Sequence, residues 1–248
     1  MSDQKFLLQI IGMTLVTLPL VGCGTQAASP VSEGPVSTSA PASATATSTP
    51  ASATATHTPE PLTADEHYDQ GADYYERGEL ESAIDELSES IALDPRKPSF
   101  YVLRGLAYQA NGALDQAIAV YDQAIALNLQ WAVAYAHRGT AYLDKGNYDQ
   151  AIADFNQAIE IDPQLADAYN NRGLAYGNKG NYDQAITDFD QAIEIDPQLA
   201  DAYAVRGAAH YFLGDSDHAI VDLERALELE LEPSDHEVVE ELLKELGQ

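Results

Sequence analysis

The sequence predicts an all-α protein, a solenoid of five helix-turn-helix units closed by one further helix, and three observations predict it. The run Gly146-Asn147-Tyr148-Asp149-Gln150-Ala151-Ile152 returns unchanged as Gly180-Asn181-Tyr182-Asp183-Gln184-Ala185-Ile186, a shift of 34 residues. A longer run, Gln157 to Tyr169, returns at the same shift and ends at Tyr203. The period then extends without gaps over 64–97, 98–131, 132–165, 166–199 and 200–233. A fixed period of this size means identical two-element units stacked on one another, not one closed core.

Within a unit, each recurring residue has a mechanical reason. Position four carries His67 and then Tyr101, Tyr135, Tyr169 and Tyr203; position eleven carries Tyr74, Tyr108, Tyr142, Tyr176 and then His210. Two rings seven residues apart lie on one face of a first helix. Glycine between them at position eight (Gly71, Gly105, Gly139, Gly173, Gly207) leaves room for a neighbouring helix. A second glycine at position fifteen (Gly78, Gly112, Gly146, Gly180, Gly214) ends the first helix and supplies the turn. Alanine at position twenty and a small residue at twenty-seven, as at Ala151 and Ala158, put a narrow stripe on a second helix. Pro95, Pro163 and Pro197 at position thirty-two stop that helix, with Leu129 and Leu231 in their place elsewhere. Trp131, at the joint of the second and third units, is expected to pack in the core.

This pattern resembles the tetratricopeptide repeat, with its large residue at four, Gly at eight, Tyr at eleven, Ala at twenty and twenty-seven, an aromatic at twenty-four and Pro at thirty-two. Position twenty-four holds Leu87, Tyr121, Phe155, Phe189 and Leu223. The resemblance implies a right-handed α-solenoid whose concave face is built from first-helix positions two, five, nine, twelve and thirteen, where extended peptides or helices bind. Mapped onto this chain, the candidate partner-binding residues are Tyr68, Tyr75, Val102, Leu106, Leu143, Asn170, Leu174, Tyr211 and Phe212. For Tyr68, Tyr75, Tyr211 and Phe212, packing against an end cap or a neighbouring unit is an equal alternative. Chaperone-binding relatives clamp a terminal carboxylate with basic residues at positions two, five and six; this chain has no Lys or Arg there, so that clamp is excluded.

The last apolar face of a stack needs a polar cap. Residues 234–248 provide a helix with a Ser234–Glu237 capping box, an apolar face of Val238, Val239, Leu242, Leu243 and Leu246, and Gly247 to end it.

At the other end, residues 1–22 read as a signal peptide. Phe6 to Leu20 is apolar and follows Lys5, and the run closes on Leu20-Val21-Gly22-Cys23. Leu-Val-Gly-Cys resembles the lipobox of bacterial lipoproteins, which implies cleavage before Cys23 and acylation of that residue, the one cysteine of the chain. Two or three acyl chains would anchor it durably, at about 0.8 kcal/mol per buried methylene. With one cysteine, no disulfide forms within the chain. Residues 24–63, nearly all Ala, Ser, Thr and Pro, have no apolar periodicity and read as a disordered tether of mean span roughly 35 Å. The expected location is therefore the extracytoplasmic face of a bacterial membrane.

The formal net charge of −28 repels phosphates and anionic headgroups, which excludes nucleic acid as a ligand and leaves membrane attachment to the acyl chains. The same charge favours basic or apolar peptide partners. Arg104, Arg138, Arg172 and Arg206 recur at position seven, and Asp154, Asp188 and Asp222 at position twenty-three predict an Arg–Asp pair inside each of the last three units. Arg104 meets Val120 instead. The six histidines show no metal-ligand spacing, and no nucleophile motif, phosphate loop or calcium loop is present, so the reading is a protein that is not an enzyme and takes no cofactor. The expected function is a membrane-anchored protein–protein interaction scaffold. A pilotin-like assembly factor for a secretin or pilus, or an adaptor for peptidoglycan enzymes, is the alternative.

Overall fold

A computed structural model describes residues 61–229, 231 and 233–247, and among these there are eleven helices and no strand. The signal peptide, Cys23 and the tether through residue 60 lie outside the described residues. The helices fall in pairs on the 34-residue units. They are α1 (Ala64–Glu76) and α2 (Leu80–Leu93), α3 (Pro98–Ala110) and α4 (Leu114–Leu127), and α5 (Ala132–Asp144) and α6 (Tyr148–Ile161). Next come α7 (Ala166–Asn178) and α8 (Tyr182–Ile195), then α9 (Ala200–Leu213) and α10 (Ser216–Glu228), and finally a single helix, α11 (Pro233–Glu245). Each helix packs on its neighbours in sequence, and the first helices of adjacent units also touch. The fold is thus an all-α solenoid.

A Thr63–Glu66 capping box opens the array: the Glu66 N–H donates to the Thr63 hydroxyl at 3.2 Å, and the Thr63 N–H to the Glu66 carboxylate at 2.8 Å. Within each unit the position-eight glycine is where two helices meet. A methyl placed on Gly105 would lie 2.3 Å from the Tyr121 ring, and one on Gly139 2.8 Å from Phe155. The neighbour that glycine admits is therefore the position-twenty-four side chain of its own unit, and those side chains are fully buried or nearly so.

The turn inside a unit is a Schellman motif. Gly146, at φ +75°, donates its N–H to the Leu143 carbonyl, and Asn147 donates to Tyr142, both at 2.8 Å. Equivalent bonds recur in the other four units.

Between units the chain turns on a side chain that the sequence reading passed over. Position thirty-one is Asp94, Asn128, Asp162 or Asp196, and each accepts a hydrogen bond from the backbone N–H two residues on, at 2.9–3.2 Å. Asn128 performs this turn without a following proline, which explains how Leu129 stands in the proline's place. Trp131 beside it is only partly buried, packed at the edge of the core shared by the first three units.

The closing helix differs in detail from expectation. It starts at Pro233, so Ser234 lies inside the helix and not at its N-cap; proline is favoured at a first helical position because its missing N–H is not needed there. Val238, Val239, Leu242 and Leu243 share one buried cluster with Ala204 and Ala208 of α9 and Leu223 and Ala226 of α10. No described helix is long and apolar enough to cross a membrane.

Candidate functional site: the concave face of the repeats

The nine candidates occupy first helices α1, α3, α5, α7 and α9, and their burial divides them. Val102, Leu143, Asn170 and Leu174 are buried and offer little contact area. Tyr68, Tyr75 and Leu106 are partly buried. The Tyr68 ring stacks on Phe100 at 5.1 Å, and burial raises the Tyr75 phenol above its ordinary range. At the far end Tyr211 donates its hydroxyl to Glu245 of α11 at 3.0 Å, and Phe212 stacks on Tyr182 of α8 at 5.4 Å. Tyr211 thus meets the end cap and Phe212 the neighbouring unit.

Polar groups gather in the middle units, and of these the candidate set included only Asn170. The Tyr121 hydroxyl donates to Gln109 at 3.2 Å, and the Gln109 amide donates to one oxygen of Asp144 at 2.6 Å. The other Asp144 oxygen, Oδ1, is buried without a hydrogen-bond partner. Burial pushes this carboxyl up to about 6, partly offset by the Gln109 bond. Asn170 Oδ1 is likewise buried and unpaired. His137 stacks on Tyr121 with ring centroids 5.9 Å apart; its Nδ1 is also unpaired, and burial lowers the ring to about 4. Gln109 and Asp144 occupy positions twelve and thirteen, and Asn170 position five, registers that the family pattern assigns to the concave face. A buried acceptor without a donor costs about 1–3 kcal/mol.

The arginines at position seven do something else. Arg138, Arg172 and Arg206 each hold the aspartate of their own unit through two bonds and reach back to position twenty-five of the unit before, Asp122, Asn156 and Asp190, at 2.5–2.6 Å. Burial raises the Asp154 carboxyl while Arg138 opposes the rise, and the same bonds hold the Arg138 guanidinium above its ordinary range, so the pair stays ionised. Arg104 donates to the Ser88 hydroxyl at 3.2 Å and lies 5.8 Å from the Tyr101 ring centroid, while its Nε is buried without a hydrogen-bond partner. These side chains are structural ties between helices.

Histidine spacing alone concealed one cluster. His210, Asp215 and His218 bring their ligand atoms within 4.8 Å of one another at the turn between α9 and α10. The signal in the sequence was their joint departure from the repeat, not their spacing from one another.

Comparison with known proteins agrees with this architecture. The TPR repeat model matches residues 71–112 and 139–180, and tetratricopeptide repeat models match 166–199 and 98–130 and 200–233. No curated protein matches the sequence. Among solved structures, MamA is 28% identical, with 64% of this chain and 93% of MamA covered and a TM-score of 0.58. YrrB, described as a TPR protein with an unusual peptide-binding site, is 20% identical, with coverage of 73% and 92% and a TM-score of 0.57. PilW, a type IV pilus biogenesis factor, is 18% identical, with coverage of 74% and 86% and a TM-score of 0.67; at that identity the likeness is one of fold. With five gapless units, position-eight glycines under position-twenty-four side chains and family models running through all of them, the chain belongs to the tetratricopeptide repeat family.

Proposed function

We propose that the protein is a lipid-anchored scaffold on the outside of a bacterial membrane, which captures a basic, extended peptide or helix along the concave face of its repeats. The observation that carries this reading is the partly exposed Asp144 carboxylate, whose Oδ1 makes no hydrogen bond, at a position that the family pattern assigns to the concave face. A lysine, arginine or backbone N–H group of a partner pairs with this carboxylate once its side chain turns outward, and a chain of net charge −28 steers such partners inward. Half-buried Tyr68, Tyr75 and Leu106 supply apolar contact at one end. The anchor rests on Leu20-Val21-Gly22-Cys23 after an apolar run.

In-cell crosslinking from a photoreactive residue at position 109, followed by mass spectrometry, tests the groove. Captured partners whose crosslinked segment is rich in Lys or Arg, lost in Asp144→Ala, support the reading; capture unchanged by Asp144→Ala removes it. The anchor is tested separately: Cys23→Ala should abolish acylation and release the protein from membranes, and an acylated Cys23→Ala protein would refute the lipobox.

A further inference from the structure

Repeat position eleven is tyrosine in four units and His210 in the fifth. Position nineteen is Ser82, Gln116, Gln150 and Gln184, and then His218; position sixteen is Glu79, Ala113, Asn147 and Asn181, and then Asp215. All three departures fall in one unit, and the fold brings them to one point. The two imidazoles stack with centroids 5.2 Å apart, and both Nδ1 atoms approach the same Asp215 oxygen, at 3.8 Å from His210 and 2.8 Å from His218.

Capping a helix requires only part of this. The other Asp215 oxygen already accepts the His218 N–H at 3.3 Å and so caps α10, a task that needs neither ring. The remaining oxygen and two imidazoles form the one group of three metal-capable side chains among the described residues.

We propose that His210, Asp215 and His218 bind a divalent transition-metal ion of the zinc class. Two imidazoles and one carboxylate are a donor set that suits zinc and its neighbours, while calcium and magnesium prefer all-oxygen shells. Zinc bonds of about 2.0–2.1 Å place tetrahedral ligand atoms about 3.3 Å apart. The present spread closes to that by rotation of His218, whose side chain is 71% exposed, toward His210, which is 17% exposed. The backbone is already fixed for this, because the Asp215 N–H donates to the His210 carbonyl at 2.9 Å in the turn between α9 and α10. Three protein ligands leave the fourth position to water or to a donor from a partner. The ion would tie α9 to α10 in the unit that carries the closing helix.

The test titrates zinc chloride into the full chain carrying Cys23→Ser, which removes the competing thiol, against a chromophoric chelator. One zinc per chain is expected, with a rise in melting temperature on addition and no displacement by excess calcium or magnesium. His210→Tyr and His218→Gln restore the residues of the other units and so keep the fold, which circular dichroism checks. Each should weaken zinc binding roughly 10–100-fold or more and abolish the melting shift. Undiminished binding in both variants, or no binding of the parent chain at micromolar zinc, overturns the proposal.

Discussion

Arg138 grips Asp154, sixteen residues further along, through two hydrogen bonds of 2.7 and 2.8 Å, and Arg172–Asp188 and Arg206–Asp222 repeat the geometry. Each guanidinium also lies over the position-four tyrosine of its unit, with centroid distances of 5.4–5.6 Å. A planar fork between two helices fits a carboxylate in a way that lysine would not.

Breaking this tie should be costly where the pair exists and mild where it does not. Asp188→Val leaves Arg172 without its partner in a partly buried site and should lower stability by about 3–5 kcal/mol. Val120→Asp supplies Arg104 with the carboxylate its unit lacks, and the melting temperature should stay level or rise. Denaturant midpoints of the two variants decide it: a comparable loss in both would mean that the pairing contributes nothing.

Packing at the position-eight glycines makes a second prediction. A Cβ on Gly105 meets a Tyr121 ring that is fully buried and held by Gln109, so the ring has nowhere to move. Gly105→Ala should cost about 1–3 kcal/mol through overpacking. Gly112→Ala, at φ +74° with nothing within 4 Å, should cost only the left-handed backbone penalty of about 1–2 kcal/mol. The two are separable by adding Tyr121→Ala, which should relieve the first penalty and leave the second unchanged.

Two titrating groups, half-buried Asp144 and buried His137, pull the pH dependence in opposite directions. Asp144 is raised to about 6 from 3.8, so the folded state holds its proton longer; the stability present below pH 3.8 is lost as pH rises through 6. His137 is lowered to about 4 from 6.5, so its contribution is present above pH 6.5 and lost as pH falls through 4. Relative to the parent chain, Asp144→Asn should gain stability at pH 7 and little at pH 4. His137→Asn, the residue that Asn171 supplies one unit later, should gain at pH 4 relative to pH 7. Unfolding midpoints at pH 4, 5, 6 and 7 check both slopes, and parallel curves would contradict the burial argument.

The closing helix should protect its own end of the array first. Leu242 has no exposed surface and sits in the cluster it shares with α9 and α10. Leu242→Asp should open α9 and α10 to hydrogen exchange while α3 to α6 keep their protection, because stability in a stack passes only between neighbours. Uniform loss along the chain would mean that the units unfold together.

The sequence by itself determined the number of units, the glycine turn inside each and the Arg–Asp ties, since each depends on side-chain spacing and each is repeated. Repetition also made Val120 visible as the place where Arg104 lacks its partner. It did not reveal the Thr63–Glu66 box, though its spacing was there to read, nor that position-thirty-one Asp and Asn side chains make the turns between units. Tertiary structure alone decided which concave residues are covered. Val102, Leu143 and Leu174 are buried, whereas Tyr68, Tyr75 and Leu106 at the same three registers are only partly buried. It likewise decided that Asp144 and Asn170 keep an acceptor without a donor, and that His210, Asp215 and His218 meet. Periodicity specifies a face of a helix; proximity between elements, and the hydrogen bonds left unmade there, exist only once the units are stacked.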